Sequence, residues 1–315
     1  MAALLDMSRD LRFLPHPHAT VEITQRTLQG RALLRPSKQL NLLVVGCLAR
    51  AQKKTGALVH AVAVLSNHFH LLATFETVEQ MSRFMGHLNT NLSKEVGTLH
   101  DWQGPLFAGR YHSIPLSREP AAQVERLRYI LGQGTKEGLV ASPRDWPGVH
   151  SAKALATDEP LQGVWVDRTK LYAARRKDRK ARASDFSRDQ ALTLAPLPCW
   201  ADLEAAERCR LVAALVEEIE SETRARHEMA GTQPVGASQI RRRHPPHRTR
   251  IAQRRPKPRF HAVTRAARDA LLEAYRHFLI AYRTAADRLA SGEVGVSFPG
   301  GSWPSRLPFV EPSWS

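Results

Sequence analysis

Two apolar runs separated by two residues constrain this chain more than any other feature. Ala57 to Leu65 and His68 to Phe75 are both rich in aliphatic residues, with only Ser66-Asn67 between them. This is the spacing of two strands joined by a tight connection. The second run opens on His68-Phe69-His70. Side chains two apart on a strand point the same way, so His68 and His70 share one face while Phe69 turns to the other, into a core. Two imidazoles on one face can offer nitrogens to a single ion, or they can be an ordinary pair of polar-face residues.

A later segment carries a second pairing. Ser117 reads as the cap of a helix that turns Val124, Leu127 and Leu131 inward and Tyr129 to another face. Residues i and i+4 stack on one helix face, which would set the Tyr129 hydroxyl beside the Gln133 carbonyl oxygen. Gly132 and Gly134 mark the helix as ending there. Tyr129 could equally be half-buried packing, and Gln133 a solvated residue at a helix end.

Around these pieces, strands and helices alternate. Val21 to Leu34 reads as a strand pair or one long strand with a turn at Gln29-Gly30, flanked by Arg26 and Arg31 as candidate phosphate contacts. Pro36-Ser37 opens a helix from about Lys38 to Lys54, with Leu40, Leu43, Val44, Cys47 and Leu48 as its stripe. Thr77 with Gln80 makes a capping-box start for a second helix, and Arg110 to Leu116 reads as a further strand. The expected class is α+β, helices on one antiparallel sheet.

At this point the sequence resembles the REP-associated tyrosine transposases, within the single-tyrosine HUH transposases, named for His, hydrophobe, His. VAVLSNHFHLL (62 to 72) looks like that family's strand, turn and strand. Trp102, Gly104, Phe107, Arg110 and Tyr111 resemble its Trp, Phe and Arg-Tyr stretch. YILGQGTKEGLV (129 to 140), then Pro143 and Asp145-Trp146-Pro147, is similar to its Tyr-Ile, amide, Lys, Gly-Leu-Val and Trp-Pro pattern. The match spans roughly residues 18 to 155. Many relatives have Asn-Pro where this chain has Gln133-Gly134, and Thr135 stands where a small hydrophobe is usual.

The resemblance implies a ferredoxin-like, RRM-like HUH nuclease core in which His68, His70 and Gln133 hold a divalent metal ion, Mg²⁺ or Mn²⁺, and Tyr129 is the nucleophile. It further implies cleavage and rejoining of single-stranded or hairpin DNA through a 5′-phosphotyrosine. Two other functions stay open beside it. One is a domesticated binder of repeat hairpins that no longer cuts, and the other is a replication-initiator relaxase.

Charge points the same way. The chain of 315 residues carries a formal net charge of +16, with a pI near 10.5, which predicts attraction to a polyanion. Between Ile240 and Phe260 lie nine Lys or Arg, four prolines and no acid. That composition resists compact packing and reads as a flexible basic arm for DNA backbone, with Arg241, Arg242 and Arg243 as contacts, or as a solvated linker. Arg110, among Trp102, Phe107 and Tyr111, is a further DNA-contact candidate; the aromatics could stack bases or be ordinary core.

The organisation expected is a catalytic domain over 1–155, a helical extension over 156–235, the basic arm over 236–262, and a C-terminal helix and tail over 263–315. Three cysteines without C-x-x-C spacing fit a reducing compartment, and no run of eighteen apolar residues suits a membrane span. No Walker loop is present, so a nucleotide cofactor is not expected. A soluble, cytoplasmic, nucleoid-associated protein is the expectation, and monomer and homodimer both stay open.

Overall fold

Val21 and Ile23 alternate with Thr20, Glu22 and Thr24, and this period of two makes Ala19–Arg26 the first strand, β1. The structure is a computed structural model and describes residues 11–242 and 259–302. Strands β2 (Leu58–Leu65), β3 (His68–Phe75) and β4 (His112–Pro115) complete an antiparallel sheet in the order β2-β3-β1-β4. Helix α1 (Lys38–Thr55) joins β1 to β2, and α2 (Val78–His100) joins β3 to β4. This is the split β-α-β arrangement of ferredoxin-like folds, so the α+β class holds.

Local chemistry sets the helix ends. Ser37 Oγ accepts from Leu40 N at 3.1 Å to start α1, and Gly56 closes it in the left-handed region at φ 72°. At α2, Thr77 Oγ accepts from Gln80 N while Gln80 Oε1 accepts from Glu76 N at 2.7 Å, a reciprocal cap displaced by one residue.

The two sheet faces do different work. Val21, Ile23, Val62, Val64, Phe69 and Leu71 pack with the inner sides of α1 and α2 in the larger core. The other face is covered by α3 (Pro120–Leu131), α4 (Ala152–Thr157) and α6 (Ala205–Ala230), where Leu72 and Ala63 meet Leu127, Ile130 and Val216. Trp146 pins the loop before α4 to the β2 edge, its Nε1 donating to Val64 O at 2.9 Å.

The extension expected to be mainly helical holds a hairpin as well. Strands β5 (Leu161–Val166) and β6 (Ser187–Leu192) flank α5 (Arg168–Lys177) and lie on the outer side of α1. A Cβ on Gly46 of α1 would stand 2.0 Å from Val164 O, so the helix touches the hairpin backbone to backbone. This is why α1 is buried well beyond its expected stripe, at Val45, Gly46 and Ala49 too.

Two other expectations change. No second strand follows β1; a short turn at Leu28–Gly30 takes its place, with Thr27 N and Leu28 N bonded to the carbonyls of Asn67 and Leu106. Ser117 does not cap α3. Glu119 occupies that position ahead of Pro120, and Ser117 Oγ donates to Glu119 Oε2 at 2.6 Å. Beyond α6 come α7 (Ala237–Arg242) and α8 (Arg265–Ala290), and most of the basic arm, including Arg243, lies outside the described residues. Among the described residues, no helix is long and apolar enough to cross a membrane.

Candidate active site

The alternation of β3 puts His68, His70 and Leu72 on the α3 side of the sheet and Phe69 on the other, against Phe107 with ring centroids 5.9 Å apart. The two imidazoles stand edge to face, centroids 5.2 Å apart. Helix α3 delivers Tyr129 to the same place, its ring edge-on to His70 at 5.5 Å. Sequence reasoning therefore named three residues that the fold does bring together.

Each histidine is held through the same atom. His68 Nδ1 lies 2.7 Å from Asn67 Oδ1, and His70 Nδ1 lies 2.8 Å from Glu22 Oε1. Both partners are acceptors, so each ring donates through Nδ1 and turns Nε2 away from that contact. Neither Nε2 has a hydrogen-bond partner among the described residues. Burial, the adjacent His70, and the positive charges of Arg26 and Lys136 push the His68 pKa down to about 3. The ring is neutral across the physiological range, as a metal ligand must be.

Glu22 is the hub of a buried network. It is 1% exposed, and its second oxygen accepts from Arg126 at 2.8 Å. Burial opposes its charge, but the His70 hydrogen bond and the Arg126 guanidinium outweigh that and hold it below the usual carboxylate range. Arg126 also reaches His261 Nδ1 at 2.7 Å, and its Cζ lies 5.0 Å from the Tyr129 ring centroid. His261 is set by main-chain bonds to Pro115 and Ser117 beside the end of β4. Lys136 Nζ lies 4.2 Å from the Tyr129 ring centroid, so two cations flank the phenol.

Gln133 behaves differently from its helical expectation. Helix α3 ends at Leu131, so Gln133 sits in the following turn, buried, and its Nε2 donates to the Tyr129 main-chain carbonyl at 2.9 Å. Its Oε1 receives no hydrogen bond among the described residues. Gly134 next to it has φ 92°, and a Cβ there would meet the Trp146 ring at 2.9 Å, so the turn needs glycine.

The arginines scatter. Arg26 pairs directly with His68 across the β1–β3 ladder and shares its face. Arg31 is exposed, bonds to Gln29 and lies 5.2 Å from the Trp102 ring. Arg110 lines a cleft against α2, on the opposite side of β1 from the histidines. Arg241 and Arg242 project from α7, which is anchored by buried Ile240.

Sequence reasoning missed Glu22, Asn67, Arg126, Lys136 and His261. Glu22 was detectable as an acid on the polar alternation of β1, and Arg126 as the residue one helical turn before Tyr129. His261 carries no sequence signal. Among the described residues, no group of three His, Cys, Asp or Glu is placed to hold a metal, and an imidazole pair with an amide oxygen is not such a group.

No family model matches this chain, and no curated protein matches it. Among solved structures it is similar to a REP-associated tyrosine transposase bound to a REP hairpin, at 16% identity over 45% of this chain and 82% of that one, TM-score 0.37. It is also similar to a protein from Deinococcus radiodurans R1 described as a transposase, at 15% identity over 37% of this chain and 93% of that one, TM-score 0.28.

Proposed function

We propose that this chain is a DNA strand transferase that cuts single-stranded or hairpin DNA with Tyr129 and rejoins it. The observation that carries the reading is the edge-to-face contact of Tyr129 with His70, centroids 5.5 Å apart, beside a second histidine whose Nε2 likewise has no partner among the described residues. A tyrosine against one of two oriented imidazoles is equipment for phosphoryl transfer.

The donor set suits a divalent ion. Both rings are fixed through Nδ1, and the Gln133 amide oxygen lacks a donor, so His68, His70 and Gln133 would hold Mg²⁺ or Mn²⁺. Polarisation of a non-bridging phosphate oxygen is the chemistry such an ion supplies when bound.

The chain's own residues do the rest. Tyr129, 38% exposed, attacks the scissile phosphorus; its proton passes to solvent, the P–O3′ bond breaks, and the departing O3′ takes up a proton. The product is a 5′-phosphotyrosine with a free 3′ hydroxyl, and attack by a 3′ hydroxyl on that link reseals DNA without ATP. Lys136 offers its charge to the phosphate beside the phenol, while Arg126 holds Glu22 and so keeps His70 in place. Arg26, Arg31 and the basic residues from Arg241 onward attract backbone on the flanks.

The test is incubation of hairpin and single-stranded oligonucleotides with Mn²⁺ or Mg²⁺, comparing wild type with Tyr129→Phe. A metal-dependent covalent protein–DNA band that disappears in Tyr129→Phe is the expected result. Retention of the band in that variant would move the nucleophile elsewhere, and binding without cleavage on every substrate would replace the enzyme with a hairpin-binding protein.

A further inference from the structure

Residues 260–264 bring the far end of the chain back to the candidate active site. His261 N donates to Pro115 O at 3.0 Å, and Ser117 N donates to His261 O at 2.8 Å, so the stretch runs beside the end of β4 as a short parallel bridge with Leu116 opposite His261. Two residues on, Val263 N and Thr264 N donate to the Glu119 carboxylate at 2.9 and 3.1 Å, where α3 begins. Thr264 Oγ1 accepts from Ala267 N at 3.2 Å to cap α8, and Phe260 packs on Tyr275 of α8 and on Phe13. The segment is thus fastened to β4, to the tyrosine helix and to α8.

One side chain of this clasp reaches inward. Arg126 Nη2 lies 2.7 Å from His261 Nδ1. A guanidinium only donates, so Nδ1 accepts and the ring proton sits on Nε2, which lies 3.4 Å from Glu125 Oε2. Burial first, and then the Arg126 charge, lower the His261 pKa in favour of the neutral ring that this contact needs.

Arg126 depends on this second anchor. Its Nη1 donates to Glu22 at 2.8 Å, and its Nε is buried without a partner, so among the described residues two hydrogen bonds fix the guanidinium plane. Anchors on both Nη atoms hold a planar fork in one orientation, and a single anchor leaves it free to turn. The orientation matters on two sides. Arg126 Cζ lies 5.0 Å from the Tyr129 ring centroid, and the Glu22 that Arg126 neutralises holds His70 through Nδ1. Glu22 is buried, so a guanidinium that turns away leaves the carboxylate short of its counter-charge and loosens its hold on the imidazole.

We propose that His261 is a positioning residue for the cutting step: supplied from the C-terminal side of the basic arm, it locks Arg126, and through Arg126 it fixes both the Tyr129 nucleophile and the His70 ring. The proposal rests on the strand-transfer reading above. A residue that acts only through Arg126 governs the rate of attack and leaves DNA affinity alone.

The experiment uses the full chain with Mn²⁺ and the single-stranded and hairpin oligonucleotides. Two quantities are read: the single-turnover rate of covalent protein–DNA formation at saturating DNA, and the Kd by fluorescence anisotropy in a Tyr129→Phe background. His261→Leu removes the acceptor, whereas His261→Asn keeps an oxygen near the place of Nδ1, and both retain the main-chain bonds of residue 261. His261→Leu is expected to slow the rate about tenfold, the scale of one hydrogen bond to a charged group, with Kd unchanged. His261→Asn should restore most of that rate. Melting curves check the fold, and if His261→Leu does not fold, His261→Gln, whose oxygen lies one carbon further out, takes its place. An unchanged rate in His261→Leu, an equal loss in His261→Asn, or a weaker Kd with the rate intact overturns the positioning role and leaves the strand-transfer reading standing. Absence of any covalent product from the wild type overturns both.

Discussion

His70 Nδ1 and Glu22 Oε1 meet at 2.8 Å on a diagonal of the β1–β3 ladder, with both groups shielded from solvent. The diagonal places an ionised acid behind an imidazole, where it fixes which ring nitrogen carries the proton and which way the other points.

Removing that acid should therefore damage metal affinity before it damages the fold. Glu22→Gln is expected to weaken Mn²⁺ binding by about 10- to 100-fold, measured by isothermal titration calorimetry on metal-free protein. An unchanged affinity, with the melting curve intact, would mean that the Glu22 contact does not orient His70.

The interior histidines make stability depend on pH in a defined window. His60 and His150 are buried, and burial pushes each to about 4, against an ordinary value of 6.5. Between those values the unfolded chain binds protons that the folded chain refuses, so stability is full above about pH 6.5 and falls as pH drops toward 4. Each histidine contributes on the order of 3 kcal/mol to that loss. Thermal melts across the range should show the decline, with a shallower slope in His60→Gln; a flat profile would mean that the rings take up protons in place.

The contact between α1 and the β5–β6 hairpin should tolerate no added carbon. A Cβ on Gly46 would fall 2.0 Å from Val164 O, and one on Gly163 would fall 2.4 Å from Gly46 N. Gly46→Ala is expected to cost about 3 kcal/mol or more, seen as a lower urea midpoint. By the same geometry, a chain cut at residue 155 loses the cover on α1 and should aggregate; a soluble, cooperatively melting 1–155 fragment would contradict this.

Glu95 and Arg168 join α2 to α5 through a bidentate ion pair, with Glu95 buried. Arg168→Met strands the carboxylate and should cost roughly 3 to 5 kcal/mol, while the double variant Glu95→Leu/Arg168→Met should recover most of it. Chemical denaturation of the four proteins completes the cycle, and additive losses would show that the pair is not coupled.

Periodic features were legible in the sequence and non-local ones were not. The β2–β3 pair, α1 and α2 followed from alternation, caps and stripes, and the faces taken by His68, His70 and Tyr129 were legible because strand and helix geometry fix them locally. Gln133 illustrates the limit: its helical spacing from Tyr129 meant nothing once α3 stopped at Leu131, and the side chain turned back to cap that end. The β5–β6 hairpin was hidden because Leu161–Val166 and Ser187–Leu192 are short and separated by a helix, and pairing across such a gap leaves no periodic trace. His261 reaches Arg126 from 135 positions away, a relation set only by tertiary packing.

One consequence follows from the alternation of β3. A slip of a single residue against β1 would send Phe69 to the α3 side of the sheet and turn both imidazoles into the core among aliphatic side chains. Such a chain would lose its core and its histidine pair together. The packing that seats Phe69 in the core therefore also seats the histidine pair, so one choice of register assembles both.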